Sequence, residues 1–465
     1  MRQFLCLLLL LCPCLSAQEV LKEIDVDDGG GAPDYLFGMK LNPDGSELYA
    51  AVCGTFSDPN NRLVVVDTFQ DLLLPKEGVT GKFPEEIEFR LDGSGDIELI
   101  FVSDSTDGTV TVLKPDLTLE STLVLAPSSP YPFGLIMGPS GRYLYVSTVN
   151  MGEIFVIDTD PGSTYLQVVD QHTVAAFNGR LATYNGKLII PGSDFTNGAV
   201  LSIMDLNQPS QVDAVLLDGD LAGYPGANDV HISKDGYAYV TVLDYNNSAL
   251  LYEVDLDRSP PAVSRTIDLS AQGPYLTLEH GIGASPDGNT LVVTYMDDAY
   301  IKTVSRKTGC VLDCFYVDPA HYGQINECVF SKDGDKVYLT NQAQPVIHVL
   351  GGVPEHGLWL TGEEETVPGG QVSLYMRGGE KGGPGLLLWS LTLGPIVTPT
   401  YEMEIGTPYY LLFYSVFDAG NNFPVITINC PNDPGLSGLS VYFQGLTRDS
   451  DKEFRPSNLH TVQIQ

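Results

Sequence analysis

The sequence predicts an all-β protein, a seven-bladed β-propeller followed by a small β-sandwich. Three observations carry that prediction. A unit of short strands recurs seven times, several of its strands are apolar on both faces, and the spacing disappears near Glu355, where Gly, Pro and Glu rise.

The unit is clearest from Asn228 to Leu256. An apolar run, Val230 to Ser233, meets the turn Lys234-Asp235-Gly236. A second run climbs through Tyr239-Val240-Thr241-Val242, and a polar loop leads to a third at Ala249 to Leu256. Three short strands in succession make a meander. Aligned on the turn, the other copies carry Pro43-Asp44-Gly45, Leu91-Asp92-Gly93, Pro139-Ser140-Gly141, Tyr184-Asn185-Gly186, Pro286-Asp287-Gly288 and Lys332-Asp333-Gly334. Successive intervals are 48, 48, 45, 50, 52 and 46 residues, the period of a propeller blade. The shared glycine is expected to supply the positive φ that such a turn needs. Strands apolar on both faces fit blades pressed between neighbours.

A fourth strand follows in six of the units, for example Ser121 to Leu125 and Ser264 to Leu269. The seventh unit lacks one. Val20 to Val26 has the same pattern, so it is expected to complete the last blade and close the ring, leaving no open sheet edge at the seam.

Ahead of it, Arg2 precedes an apolar core from Phe4 to Leu11 and the small residues Ser16 and Ala17. Residues 1–17 therefore read as a secretory signal, and 18–352 as the propeller. No other apolar run reaches the ~18 residues of a membrane span. The expected location is secreted, cell-surface or periplasmic. Five cysteines remain after the signal, Cys53, Cys310, Cys314, Cys328 and Cys430, so at least one is expected to stay outside any intrachain disulfide. The set reads as ordinary buried thiols or one unassigned disulfide.

With 24 Lys+Arg against 59 Asp+Glu, the net charge is -35. Such a chain repels phosphate backbones, which excludes nucleic acid as a partner. From residue 353 to 465, seven short strands separated by Pro and Gly read as a β-sandwich. It is similar to the accessory sandwiches that end many secreted bacterial proteins, and its expected role is cell-surface attachment or a second contact.

Tyr239-Val240-Thr241-Val242, Val337-Tyr338-Leu339-Thr340-Asn341 and Leu144-Tyr145-Val146-Ser147-Thr148 each follow a glycine turn. In this they resemble the YVTN-type repeat of secreted and surface-layer β-propellers and of the related seven-bladed lactonase-like family. The likeness covers about residues 20 to 350 and implies the fold more than an activity.

Strand order places the loops entering first strands and those leaving second strands on one rim. From the entering loops come Glu85, Glu86, Asn228, Asp229, Glu279, His280, Asn326 and Glu327; the leaving loops add Asp104, Asn150, Asp194, Asp244, Asp297, Asp298 and Asn341. Such a mouth suits a calcium ion, with Glu85, Glu86, Asn228 and Asp229 as candidate ligands, or a cationic or polyhydroxylated molecule. His280 beside Glu279 is the candidate acid-base pair, since imidazole ordinarily titrates near neutrality.

Glu85 or Glu86 with Asn178, Asn228 and Asp229 also resembles the calcium set of gluconolactonase-type lactone hydrolases. Those enzymes have six blades, and here Arg180 lies two residues from Asn178, where a guanidinium opposes a cation. No nucleophile-elbow, zinc-protease or nucleotide-binding motif is present in a fitting context. The first expectation is a secreted, non-catalytic scaffold whose acidic rim binds an extracellular ligand, protein or carbohydrate. The alternative is a calcium-dependent lactonase-like hydrolase or lyase acting at the channel.

Overall fold

The computed structural model describes residues 19–465 except 127–129, 151, 163, 220–225, 244–248, 272–277, 297–298, 318–322, 352, 354–357, 363–364, 381–382, 398–401, 406–408, 419–420 and 449–453. The expected signal segment and the rim candidates Asp244, Asp297 and Asp298 lie outside the described residues. No helix among the described residues is long and apolar enough to cross a membrane. Contacts divide the chain into two units. One comprises Val20–Thr303 and Asp313–Leu350; the other holds Val304–Leu312 and Gly351–Gln465.

The first unit is an all-β, propeller-like array of seven four-stranded sheets among the described residues. Each sheet begins with a first strand that pairs antiparallel with the next: Leu36–Leu41, Pro84–Leu91, Pro132–Met137, Ala182–Tyr184, Gly226–Ile232, Glu279–Ala284 and Ile325–Phe330. Glu19–Asp25 lies beside Val346–Gly351 as the fourth strand of the seventh sheet, and Val26 N donates to Pro345 O at 2.8 Å. The seam thereby joins strands far apart in sequence.

Core side chains lie mainly between successive sheets. Ile24, Val26, Tyr338 and Val349 pack with Leu36, Leu48, Val64 and Val66 across the seam, while Val65, Ile87, Ile100 and Val102 fill the space between the first and second sheets. A strand with neighbours on both faces buries both sets of side chains, each contributing on the order of 1.5–3 kcal/mol. That burial explains why these strands lack a polar alternation.

Six of the repeated turns use the expected glycine at positive φ: Gly45, Gly141, Gly186, Gly236, Gly288 and Gly334. The second repeat differs. Its turn runs on through Ser94, and Gly95, not Gly93, takes a φ of 92°. The lengthened loop is held by Asp92 Oδ1, which accepts from the backbone of Ser94 and Asp96.

The first strands share a bulge near the axis, where two residues oppose one on the second strand. The pairs are Phe37-Gly38, Glu85-Glu86, Phe133-Gly134, Asn228-Asp229, His280-Gly281 and Asn326-Glu327, with register breaks at each. A Ser or Thr hydroxyl on the second strand repairs the disrupted ladder in several sheets. Ser103, Ser147, Thr241 and Thr340 accept from the amides of Glu86, Gly134, Asp229 and Glu327 at 2.8–3.1 Å. The same hydroxyls donate to the next sheet, to the carbonyls of Phe133, Gly179, His280 and Phe37 at 2.7–2.8 Å. By that contact Gly179-Arg180 is the corresponding pair in the fourth sheet. One atom thus satisfies a bulge and staples two sheets together.

In the second unit, a three-stranded sheet (Trp359–Gly362, Gln371–Arg377, Ile426–Asn429) and a five-stranded sheet built around Pro384–Ser390, Ser440–Arg448 and Phe454–Ile464 share one core. Leu360, Leu374 and Met376 from one meet Leu387, Phe443 and Val462 from the other, the layering of a sandwich. A short hairpin pairs Leu393–Val397 with Glu402–Ile405 as a separate two-stranded sheet.

Candidate functional site at the propeller axis

The second residues of the bulge pairs are, in order, Gly38, Glu86, Gly134, Arg180, Asp229, Gly281 and Glu327, and Arg180 meets Glu86, Asp229 and Glu327 across the ring. Four carry charges and three are glycines. A Cβ on Gly38 would lie 2.1 Å from Glu85 O, and one on Gly281 would lie 2.4 Å from Asn326 O, so neighbouring backbone leaves no room there.

Arg180 is the centre of the cluster. Its guanidinium reaches Glu327 Oε2 at 2.7 Å, Asp229 Oδ2 at 3.2 Å and Glu86 Oε1 at 3.3 Å, and Nη1 donates to Asn326 O. Phe37 and Phe133 present their rings 5.9 Å from Cζ, the range of cation–π attraction. Burial opposes the charge on Arg180, but Glu327, Glu86 and Asp229 outweigh it and hold the guanidinium protonated. Asp229 is further fixed by the amides of Val230 and Ile282.

Carboxylates outnumber cations around this point. Among the described residues, Glu85, Glu86, Glu88, Asp229 and Glu327 are met by the cations Arg180 and Lys40, and Lys40 Nζ is paired to Glu88 at 2.8 Å. Burial raises the Glu85 carboxyl well above its ordinary range, with Arg180 offsetting part of the rise. Burial and Asp229 carry Glu86 to about 7 against the pull of Arg180, and Glu327 is raised by burial as well. Glu86 and Glu327 keep 14% and 11% of their side chains exposed, so the cluster meets solvent.

His280 does not keep the near-neutral titration assigned to it from sequence. Burial first, and Arg180 second, lower it to about 3. Its Nδ1 lies 2.9 Å from Asn326 O, its ring meets Phe37 edge-on at 5.6 Å, and its carbonyl accepts from Asn228 Nδ2. A neutral, packed imidazole of this kind positions its neighbours. Glu279, one residue away, is fully buried.

The geometry does not fit calcium among the candidate ligands. Glu86 and Asp229 are engaged by Arg180, which supplies positive charge where an ion would. Glu85, Glu86 and Asp229 do not bring their oxygens within 4.8 Å of one another; among the described residues, only Asp27, Asp28 and Asp34 form such a carboxylate group. There too a guanidinium intervenes, Arg62 lying 2.5 Å from Asp34 and 3.4 Å from Asp28.

Other rim candidates serve the fold. Asp104 is buried and accepts from Thr109, Thr111 and Gly81 N, with its carboxyl raised by burial to about 7. Asp194 organises the turn through Thr196 N and Asn197, and Asn341 pairs with His348. The sequence reading found all seven acidic, amide and imidazole bulge residues but treated Arg180 as an obstacle to a site rather than its centre. Phe37, Phe133 and Lys40 were missed; aligning the bulge pair across the repeats is the signal that groups the two rings with Arg180.

No protein-family model and no curated protein matches the sequence. Solved structures do resemble it in shape. Hydrazine synthase of Kuenenia stuttgartiensis aligns with a TM-score of 0.57 at 14% identity, over 70% of this chain and 98% of that one. Raptor of Chaetomium thermophilum aligns with a TM-score of 0.52 at 11% identity, over 71% of this chain and 29% of that one. At these identities the likeness concerns the fold alone. Fold and site together define an all-β, propeller-like protein whose first-strand bulges gather an arginine among carboxylates.

Proposed function

We propose that the protein is a secreted, seven-bladed propeller scaffold that binds a donor-rich ligand, a cationic or polyhydroxylated molecule, at its acidic axial mouth without transforming it. The supporting observation is the guanidinium of Arg180 between Glu86, Asp229 and Glu327. The guanidinium supplies positive charge where a catalytic cation would, and carboxyl groups outnumber the cations around it. Among the described residues, two buried acceptor atoms, Asn178 Oδ1 and Asn326 Oδ1, have no hydrogen-bond partner. Unmatched buried acceptors favour a ligand that brings N–H or O–H groups.

Calorimetric titration with polyamines and with neutral oligosaccharides tests this reading. Saturable binding that weakens at least tenfold in Glu86→Gln supports it. Stoichiometric calcium in the purified protein, with chelator-sensitive lactone hydrolysis, overturns it. N-terminal sequencing of protein recovered outside the producing cell tests secretion, the expected first residue being Gln18.

A further inference from the structure

The unit from Gly351 onward contains a second, chemically different space. A cavity of about 240 Å³ lies within the sandwich, walled by Trp389, Leu412, Ile428, Val441, Phe443 and Val462. These residues come from both sheets, so the void is a failure of the two layers to close on each other. Sandwich interiors are normally packed to crystal-like density. An apolar cavity of roughly 150 Å³ already accepts benzene, and this one is larger. No charged side chain lines it.

The wall is half open. Trp389, Leu412, Ile428 and Val441 are only partly buried, while Phe443 and Val462 form its closed side. Thr366 and the exposed Asn429 also border it, offering uncharged hydrogen-bonding groups. Trp389 packs on Tyr410 at 5.2 Å. Tyr410 belongs to the strand Tyr410–Val416, which among the described residues is an edge strand, paired to Pro384–Ser390. That strand also exposes Leu411, Phe413, Tyr414 and Val416. An apolar row beside an apolar cavity is unusual for a protein of such net charge.

We propose that this cavity is a binding site for the uncharged hydrocarbon chain of an amphiphile, a medium-length acyl tail seated between the sheets with its polar end near Thr366 and Asn429. Walls without charge accept methylene groups and give no compensation for a buried ion. The exposed row along Tyr410–Val416 offers the tail an apolar approach. This site is independent of the axial cluster, since all of its lining residues belong to the second unit.

The chain contains two tryptophans, so a full-length Trp359→Phe protein reports on Trp389 alone. Titrating it with monomeric octanoylglycerol is expected to shift Trp389 emission to the blue, saturate at one equivalent and raise the unfolding midpoint. Val441→Phe narrows the cavity and is expected to weaken binding at least tenfold; Leu412→Phe gives a second variant if the first does not fold. Hexanoyl, octanoyl and decanoyl glycerols are expected to bind progressively tighter until the cavity is full. Absent saturation, equal binding by a folded filling variant, or tighter binding of 2-naphthol than of any acyl chain would each overturn the proposal.

Discussion

Arg180 Nη2 in the fourth sheet stands 2.7 Å from Glu327 Oε2 in the seventh. Residues three sheets apart in the array meet because each occupies the second place of a first-strand bulge pair. Replacing Arg180 with Met leaves Glu86, Asp229 and Glu327 buried without their common partner. Breaking one side of a buried ion pair costs about 3–5 kcal/mol. Arg180→Met is expected to lose that much in denaturant unfolding, and Glu327→Gln less. Equal stability of Arg180→Met and the parent would show that the cluster does not hold the sheets.

Glu86 titrates near 7 in the folded chain, above its ordinary value of 4.5. A carboxyl raised on folding binds more protons in the native state, so its contribution is complete below 4.5 and is lost as pH rises through 7. Asp104, raised to about 7, acts in the same direction. His280, lowered to about 3 from 6.5, acts oppositely: its contribution is present above 6.5 and is lost as pH falls toward 3. Glu86→Gln is expected to make stability fall less between pH 4.5 and 7 than in the parent. Parallel curves for the two proteins would remove Glu86 from the account.

The hydroxyl of Thr340 accepts from Glu327 N and donates to Phe37 O. Thr340→Val keeps the shape and abandons both groups, for an expected loss of about 1–3 kcal/mol. Thr340→Ser is expected to retain most of the stability. Hydrogen exchange at Glu327 N is the local readout, and unchanged protection in Thr340→Val would contradict the staple.

Gly38 has Glu85 O where a side chain would start. Gly38→Ala is expected to lower the unfolding midpoint sharply or to abolish soluble protein. Gly93→Ala meets nothing within 4 Å and is expected to change stability by under about 0.5 kcal/mol. Similar behaviour of the two variants would show that the sheets can part at Gly38.

Ile24 lies in the seam core with Val349 and Tyr338. Truncating it to Ala is expected to cost about 2–4 kcal/mol and to speed proteolysis within the first and seventh sheets. Cleavage unchanged there would mean that the N-terminal strand does not hold the seam.

The repeated strands were legible in sequence because burial on both faces, turn glycines and a constant period all leave local marks. The Ser or Thr of the Tyr-Val-Thr pattern was visible too, but its reason was not. Thr241, Ser147 and Thr340 were read as strand residues, and their role as staples depends on the neighbouring sheet. The second repeat's turn was misread at Gly93 because two glycines stand close together and only backbone geometry separates them.

The sequence by itself determined an all-β chain of repeated strands with its acidic and amide residues grouped near the first strands, since short-range pattern specifies strands, turns and faces. Only the tertiary structure decided that Arg180 joins Glu86, Asp229 and Glu327 around one point, and that His280 is buried and neutral. Those properties follow from distances and loss of water between residues remote in the chain. Charge balance and burial at the axis have no local signature to read.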